Sequence, residues 1–250
     1  MSDSTRLDGK VALVTGSAVR VGAEIVRELH RCGADVAIHY RSSSDAADEL
    51  AADLNAGRAG SAMTIRADLL KTGDIEPMVS AVADWRGRLD IVVNNASSFY
   101  PTPIGTITEE NWDDLVGSNL KAPLFVAQAA TPHLKAVHGS LVNIVDIHAQ
   151  RPLKHHLVYG PAKAGLAMLT RSLAKELGPE IRVNGVSPGA ILWPADGMSD
   201  EAKTSVLEQV PLGRPGAPRD IASTVRFLVT EATYITGQII AVDGGRSAGW

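Results

Sequence analysis

Short, nearly unbroken runs of apolar and β-branched residues alternate along the chain with longer stretches in which apolar positions recur every three or four residues. The first pattern fits strands covered by helices on both faces, and the second fits amphipathic helices. Strands are predicted at Val11–Thr15, Asp35–Tyr40, Ala62–Ala67, Ile91–Asn94, Leu141–Asp146, Arg182–Val186 and Ile239–Val242. The helices between them start near Gly22, Asp45, Asp74, Glu109, Leu157 and Arg219, and Gly33, Gly57, Gly87 and Gly178 stand where helices should stop. Such alternation builds right-handed βαβ crossovers, so the expected fold is α/β, a doubly wound parallel sheet of about seven strands with helices on both faces. The Pro- and Gly-rich stretch from Ser187 to Pro218 is the longest without a firm element. A short helix from Met198 to Val210 is expected inside it, and the stretch reads as a substrate lid over residues 187–218.

Composition narrows the function classes. The 250 residues are 45% hydrophobic and 21% charged, enough apolar material for a sizeable core. A formal charge of −4 offers no basic field to nucleic acid. The single cysteine, Cys32, lies in a helical pattern and reads as a small buried apolar residue. No disulfide can form within the chain, which suits a reducing cytoplasm. No apolar run reaches the roughly 18 residues of a membrane span. Met1 to Gly9 is polar, without the apolar core of a signal peptide. The expected setting is cytoplasmic, with a small-molecule partner and neither nucleic acid nor membrane. His148, His155 and His156 share one loop but lack the carboxylate or cysteine spacing of a metal site, so no metal is expected and they read as loop residues near a pocket.

Candidate chemistry gathers at predicted strand ends, where α/β proteins bind ligands. Tyr159 and Lys163 are four residues apart and share a helix face. An ammonium beside a phenol favours the phenolate, so Lys163 is expected to lower the Tyr159 pKa and fit it for proton transfer. Asp146 closes the apolar run just before this helix. After the first strand, Thr15-Gly16-Ser17-Ala18-Val19-Arg20-Val21-Gly22 forms a small-residue turn into a helix, a cradle for a pyrophosphate. Arg20 stands where a mid-motif Gly is expected, and its guanidinium suits phosphate. The second strand ends in Tyr40-Arg41-Ser42-Ser43-Ser44 with no acid before Asp45. An NAD-selective site commonly has an acid there, whereas Arg41 and Ser42 suit the 2′-phosphate of NADPH. Ser44 or Asp45 is also placed to cap the next helix. Asp68 is placed for the adenine amino group, and Asn94 and Asn95 for locking neighbouring strands.

Together these pieces resemble the short-chain dehydrogenase/reductase family. The match runs through Thr15-Gly16-x-x-x-Arg20-x-Gly22, Asp68, Asn94-Asn95-Ala96, Asn119, Tyr159-x-x-x-Lys163, Pro188-Gly189, Tyr234-Ile235-Thr236-Gly237-Gln238 and Val242-Asp243-Gly244-Gly245. The resemblance implies a single Rossmann-like domain over residues 1–250 and a homotetramer. It implies a Tyr159 proton donor, a Lys163 that binds the nicotinamide ribose, and Asn119 in a proton relay. Its cofactor contacts fall on Gly16, Arg20, Val21, Tyr40, Arg41, Ser42, Asp68, Asn95, Ala96, Lys163, Pro188 and Gly189.

Two departures point to a subfamily. The family usually carries Ser thirteen residues before the Tyr and Gly after Asn-Asn-Ala, and this chain has Asp146 and Ser97. With Arg20 and Asn94-Asn95-Ala96-Ser97-Ser98-Phe99-Tyr100-Pro101-Thr102-Pro103, it is similar to pteridine reductases. In them the Phe stacks the pterin against the nicotinamide, which implies a substrate site of Arg20, Ser97, Phe99, Asp146 and Tyr159. Trp193 reads as part of the lid, and Arg246 and Trp250 are placed to reach a neighbouring subunit. The implied activity is NADPH-dependent reduction of a dihydropterin or dihydrofolate. The alternatives are a carbonyl reductase of the same family, such as a 3-oxoacyl reductase, and a regulator that binds NADP(H) without turnover.

Overall fold

The computed structural model describes residues 5–193, 197 and 199–249. Among the described residues, seven strands form one parallel sheet in the order β3-β2-β1-β4-β5-β6-β7, with β1 at Val11–Val14, β2 at Asp35–Tyr40, β3 at Ala62–Arg66, β4 at Ile91–Asn94, β5 at Ser140–Ile144, β6 at Arg182–Pro188 and β7 at Ile239–Val242. The winding reverses between β1 and β4. Strands β2 and β3 lie on one side of β1, and β4 through β7 lie on the other. This single α/β domain is the expected doubly wound sheet.

Alternation along β1 shows why it is apolar throughout. Ala12 and Val14 pack against α1 (Arg20–Arg31), α2 (Ser44–Gly57) and α8 (Pro218–Thr230). Val11 and Leu13 pack against α3 (Ile75–Arg86), α5 (Ala122–Ala136) and α6 (Tyr159–Leu177). A strand between two helical layers has no solvent face to carry polar side chains.

Several boundaries differ from the expectation, each for a local reason. β5 stops at Ile144, and Asp146 instead caps a short 3₁₀ turn by accepting the His148 N–H at 2.8 Å. The helix expected from Glu109 is α4 (Glu109–Val116), then a π-helical stretch Gly117–Lys121, then α5. Neither Ser44 nor Asp45 caps α2, because the chain enters the helix at Ser43 with no side-chain cap. The short helix of the long segment is α7, Asp200–Glu208; Met198 lies outside the described residues. The flanks of that segment are tied down, Gly216 N–H to the Ala190 carbonyl at 2.9 Å and Leu212 N–H to the Gly244 carbonyl at 3.1 Å. Trp250 also lies outside the described residues. Among the described residues, no helix is long and apolar enough to cross a membrane, and no cluster of His, Cys, Asp or Glu is arranged to hold a metal.

Candidate active site

The ends of β1, β2, β4, β5 and β6 open on one cavity of about 730 Å³. Its walls hold Gly16, Arg20, Val21, Tyr40, Arg41, Ser42, Asp68, Asn95, Ala96, Ser97, Phe99, Asp146, Tyr159, Lys163, Pro188 and Gly189. Two residues singled out from the sequence stand apart. Asn119 is fully buried beneath the wall, and Trp193 is not among the lining residues, where Ile191 and Leu192 stand instead. A second cavity of about 660 Å³, bounded by residues such as Pro211, Asp220 and Asp243, contains none of the expected site residues.

The turn after β1 is held by side chains from distant segments. Thr15 Oγ1 accepts the N–H groups of Asn95 and Ala96 at 3.0 and 3.1 Å. Asn95 Nδ2 donates to the carbonyls of Thr15 and Gly16, both at 2.9 Å. Asn94 Nδ2 donates to Asn143 Oδ1 at 2.9 Å, and Asn143 Nδ2 donates to Thr170 Oγ1 at 2.9 Å. The two amides therefore lock β4 to β1 and β5. Gly16 has φ +60°, and a Cβ there would stand 2.8 Å from the Ala96 Cα. A Cβ on Gly22 would stand 2.6 Å from the Gly16 carbonyl oxygen. Only glycine permits this packing of backbone on backbone.

Arg20 has φ 57°, the left-handed conformation that the mid-motif glycine of the related pattern would adopt without strain. Helix α1 begins with no side-chain cap at Val19, so its first N–H groups are free to meet an anion at the positive end of the helix dipole. Arg41, Ser42 and Ser43 are exposed on the cavity's rim. The Arg41 carbonyl is held by Arg66 Nε at 3.2 Å. A glycine cradle, an uncapped helix end and an Arg-Ser-Ser edge fit a dinucleotide that carries an extra phosphate. Asp68 uses its carboxylate locally, accepting the Leu70 N–H at 3.2 Å.

His39 was missed in the sequence. Its signal was a polar residue inside an otherwise apolar strand. The side chain is 2% exposed. Nδ1 accepts the Gly16 N–H at 2.9 Å, and Nε2, 3.2 Å from the Ala67 carbonyl, carries the proton and donates to it. Burial pushes its pKa down to about 4, so at neutral pH it is an uncharged brace between the first turn and the end of β3.

At the other end, Tyr159 Oη donates to Asp146 Oδ2 at 2.8 Å. Lys163 Nζ donates to the Ile144 carbonyl at 2.9 Å and lies 5.7 Å from the Tyr159 ring centroid. The expected lowering of the Tyr159 pKa is overturned. Burial raises it well above 10, and the charge of Asp146 and the hydrogen bond to it add to the rise. Burial lowers Lys163 to about 8, against the pull of Asp146. The protein alone therefore holds Tyr159 as a proton-bearing phenol.

Asn119 lies within the π-helical stretch. Its Nδ2 donates to the carbonyls of Ser98 and Leu115, both at 2.9 Å, while Oδ1 is buried with no partner among the described residues. Ser98 Oγ also donates to Asp114 Oδ1 at 3.1 Å. These bonds pin the segment that carries Phe99. That ring is 49% exposed and meets Tyr159 edge-on, with centroids 4.8 Å apart.

A family model described as enoyl-(acyl carrier protein) reductase matches residues 16–247. Pteridine reductase 1 of Leishmania tarentolae is 39% identical over 279 residues, covering 95% of this chain and 96% of that protein. The 3-oxoacyl-[acyl-carrier-protein] reductase FabG of Staphylococcus aureus strain Mu50 is 36% identical over 240 residues, covering 94% and 97%. An uncharacterized oxidoreductase of Methylorubrum extorquens is 35% identical over 247 residues, covering 96% and 99%.

Proposed function

The chain belongs to the short-chain dehydrogenase/reductase family of oxidoreductases, and on that premise we propose that it reduces dihydropterins or dihydrofolate with NADPH. The observation that carries this reading is the 2.8 Å hydrogen bond from Tyr159 to Asp146, at a position where the family usually has Ser. A hydroxyl there polarises a carbonyl oxygen, whereas a carboxyl group beside the proton donor suits a ring nitrogen that must be protonated. Phe99, edge-on to Tyr159, supplies an apolar face for a flat heterocycle.

Each residue then has a stated task. Gly16, Arg20 and Val21 meet the pyrophosphate, Arg41 and Ser42 take the 2′-phosphate, and Lys163 takes the nicotinamide ribose. NADPH, when bound, supplies the hydride. Tyr159 keeps its proton until the substrate nitrogen takes it, and the Lys163 ammonium then stabilises the phenolate. Asp146, in contact with the same hydroxyl, offers the route by which that proton is restored. Ser97 and Arg20, both exposed on the cavity wall, are available to the amide and amino edge of a pterin.

The second reading is a 3-oxoacyl reductase, supported by the comparable identity of the FabG relative. NADPH consumption by the purified protein, offered dihydrobiopterin, dihydrofolate and an acetoacetyl thioester, separates the two. Rapid turnover of a dihydropterin supports the first reading, and turnover of the thioester alone supports the second. Slow oxidation with every substrate would favour a binding protein that lacks turnover. Within the first reading, Asp146→Ser should lower pterin kcat by roughly a hundred-fold or more, the usual worth of a positioned acid–base group, while NADPH binding is retained. Unchanged pterin turnover in that variant overturns the role given to Asp146.

A further inference from the structure

The loop before α6 carries a side chain whose chemistry the proposed reaction leaves unused. The His156 ring stacks on Phe99 with centroids 4.7 Å apart and planes 18° from parallel. It also stands edge-on to Tyr159 at 6.4 Å. Phe99 lines the active-site cavity and His156 does not. The imidazole therefore covers one face of the Phe99 ring, which remains 49% exposed and presents its uncovered surface to whatever enters the cavity.

Two bonds place this stack. Thr102, 2% exposed, donates its N–H to the His155 carbonyl at 2.5 Å. Thr102 Oγ1 accepts the Val158 N–H at 3.3 Å. The Phe99 segment is thus zipped to the loop that leads into Tyr159, and Thr102 and His156 form an isolated parallel bridge.

The hydrogen bonding of His156 says which part of the side chain is used. Nδ1 lies 2.9 Å from the Lys154 carbonyl, an acceptor, so Nδ1 carries the proton. Nε2 is buried with no partner among the described residues. A buried nitrogen without a partner disfavours the folded state. What the residue contributes to the site is its flat face.

We propose that His156 is a positioning residue of the substrate site, the rear plate that holds the Phe99 ring at the angle where a planar heterocyclic substrate stacks on it. The inference rests on the reading of the site as one for a pterin, and it adds the residue that sets the platform. A stacked ring restricts the rotation of Phe99 about its side-chain bonds, so less ordering remains to be done when substrate binds. The chemistry asks for an aromatic ring at position 156 and makes no demand on its nitrogens.

The test is a substitution series assayed with NADPH and a dihydropterin, with the acetoacetyl thioester in parallel. His156→Ala should raise the pterin KM by roughly three- to ten-fold, the range expected for one aromatic pair. The shift in kcat should be smaller, and the NADPH KM should not move. His156→Phe keeps the stack and removes the unpaired nitrogen, so it should return the pterin KM to within about two-fold of wild type. If His156→Phe fails as badly as His156→Ala, the nitrogens matter and the proposal is overturned. It is equally overturned if His156→Ala leaves the pterin KM in place while wild type turns pterin over rapidly, and the pterin reading then survives. If wild type reduces the thioester and no pterin, both the pterin reading and the rear plate are overturned.

Discussion

His39 makes the stability of this protein depend on pH in a way that one substitution can isolate. Its ordinary pKa of 6.5 falls to about 4 in the folded protein, because burial disfavours the imidazolium. The Gly16 N–H also points at Nδ1 from 2.9 Å and needs an acceptor there. Between pH 6.5 and 4 the unfolded chain binds a proton at this site and the folded protein does not, so stability falls as pH falls. The full difference of about 2.5 pH units corresponds to about 3 kcal/mol, and the part lost between pH 7 and pH 5 is about 2 kcal/mol. His39→Asn keeps an acceptor near Gly16 and has no proton to gain. Urea unfolding of wild type and variant at fixed protein concentration, at pH 7, 6 and 5, gives the difference directly. Carboxylates titrate alike in both proteins and cancel. The stability advantage of wild type over the variant should shrink by about 2 kcal/mol from pH 7 to pH 5. A gap that stays constant across that range would refute the claim that His39 is held neutral by burial.

Two further substitutions probe the cofactor end and the buried lysine. Arg41→Ala should weaken NADPH by roughly ten- to a hundred-fold, the worth of charged hydrogen bonds to a phosphate, and NADH by less than about two-fold. Titration with both cofactors decides it, and equal losses would remove Arg41 from the phosphate site. Lys163 is 3% exposed with its pKa lowered from 10.5 to about 8, so its charge opposes folding most strongly below pH 8 and ceases to do so above 10.5. Lys163→Met leaves the Ile144 carbonyl unpaired yet removes a larger penalty, so at pH 7 it should gain about 1–2 kcal/mol while losing activity. That gain should fade as pH rises from 8 towards 10 in urea unfolding. A loss of stability that is the same at every pH would contradict it.

Sequence alone determined the architecture, because its cause is local and repeated. A strand between two helical layers must be apolar at every position, and an amphipathic helix must repeat its apolar residues every turn. Both patterns survive without knowledge of what touches what. The turn from Thr15 to Gly22 and the Tyr159–Lys163 spacing were legible for the same reason, since each is set by neighbours along the chain. The Ser-to-Asp exchange at position 146 was likewise visible as a departure. Tertiary structure alone decided what the groups do to one another. The pKa of Tyr159 is raised by burial and by a carboxylate thirteen residues away, which only the fold brings to its hydroxyl. His39 became a neutral brace because the fold buries it against Gly16, twenty-three residues earlier, whose N–H it accepts. Asn119 reaches Ser98 from a π-helical stretch that a helical repeat does not reveal. His156 faces Phe99 because Thr102 ties their two loops together. Desolvation and hydrogen bonding act over a few ångströms, and the fold chooses which distant residues come that close.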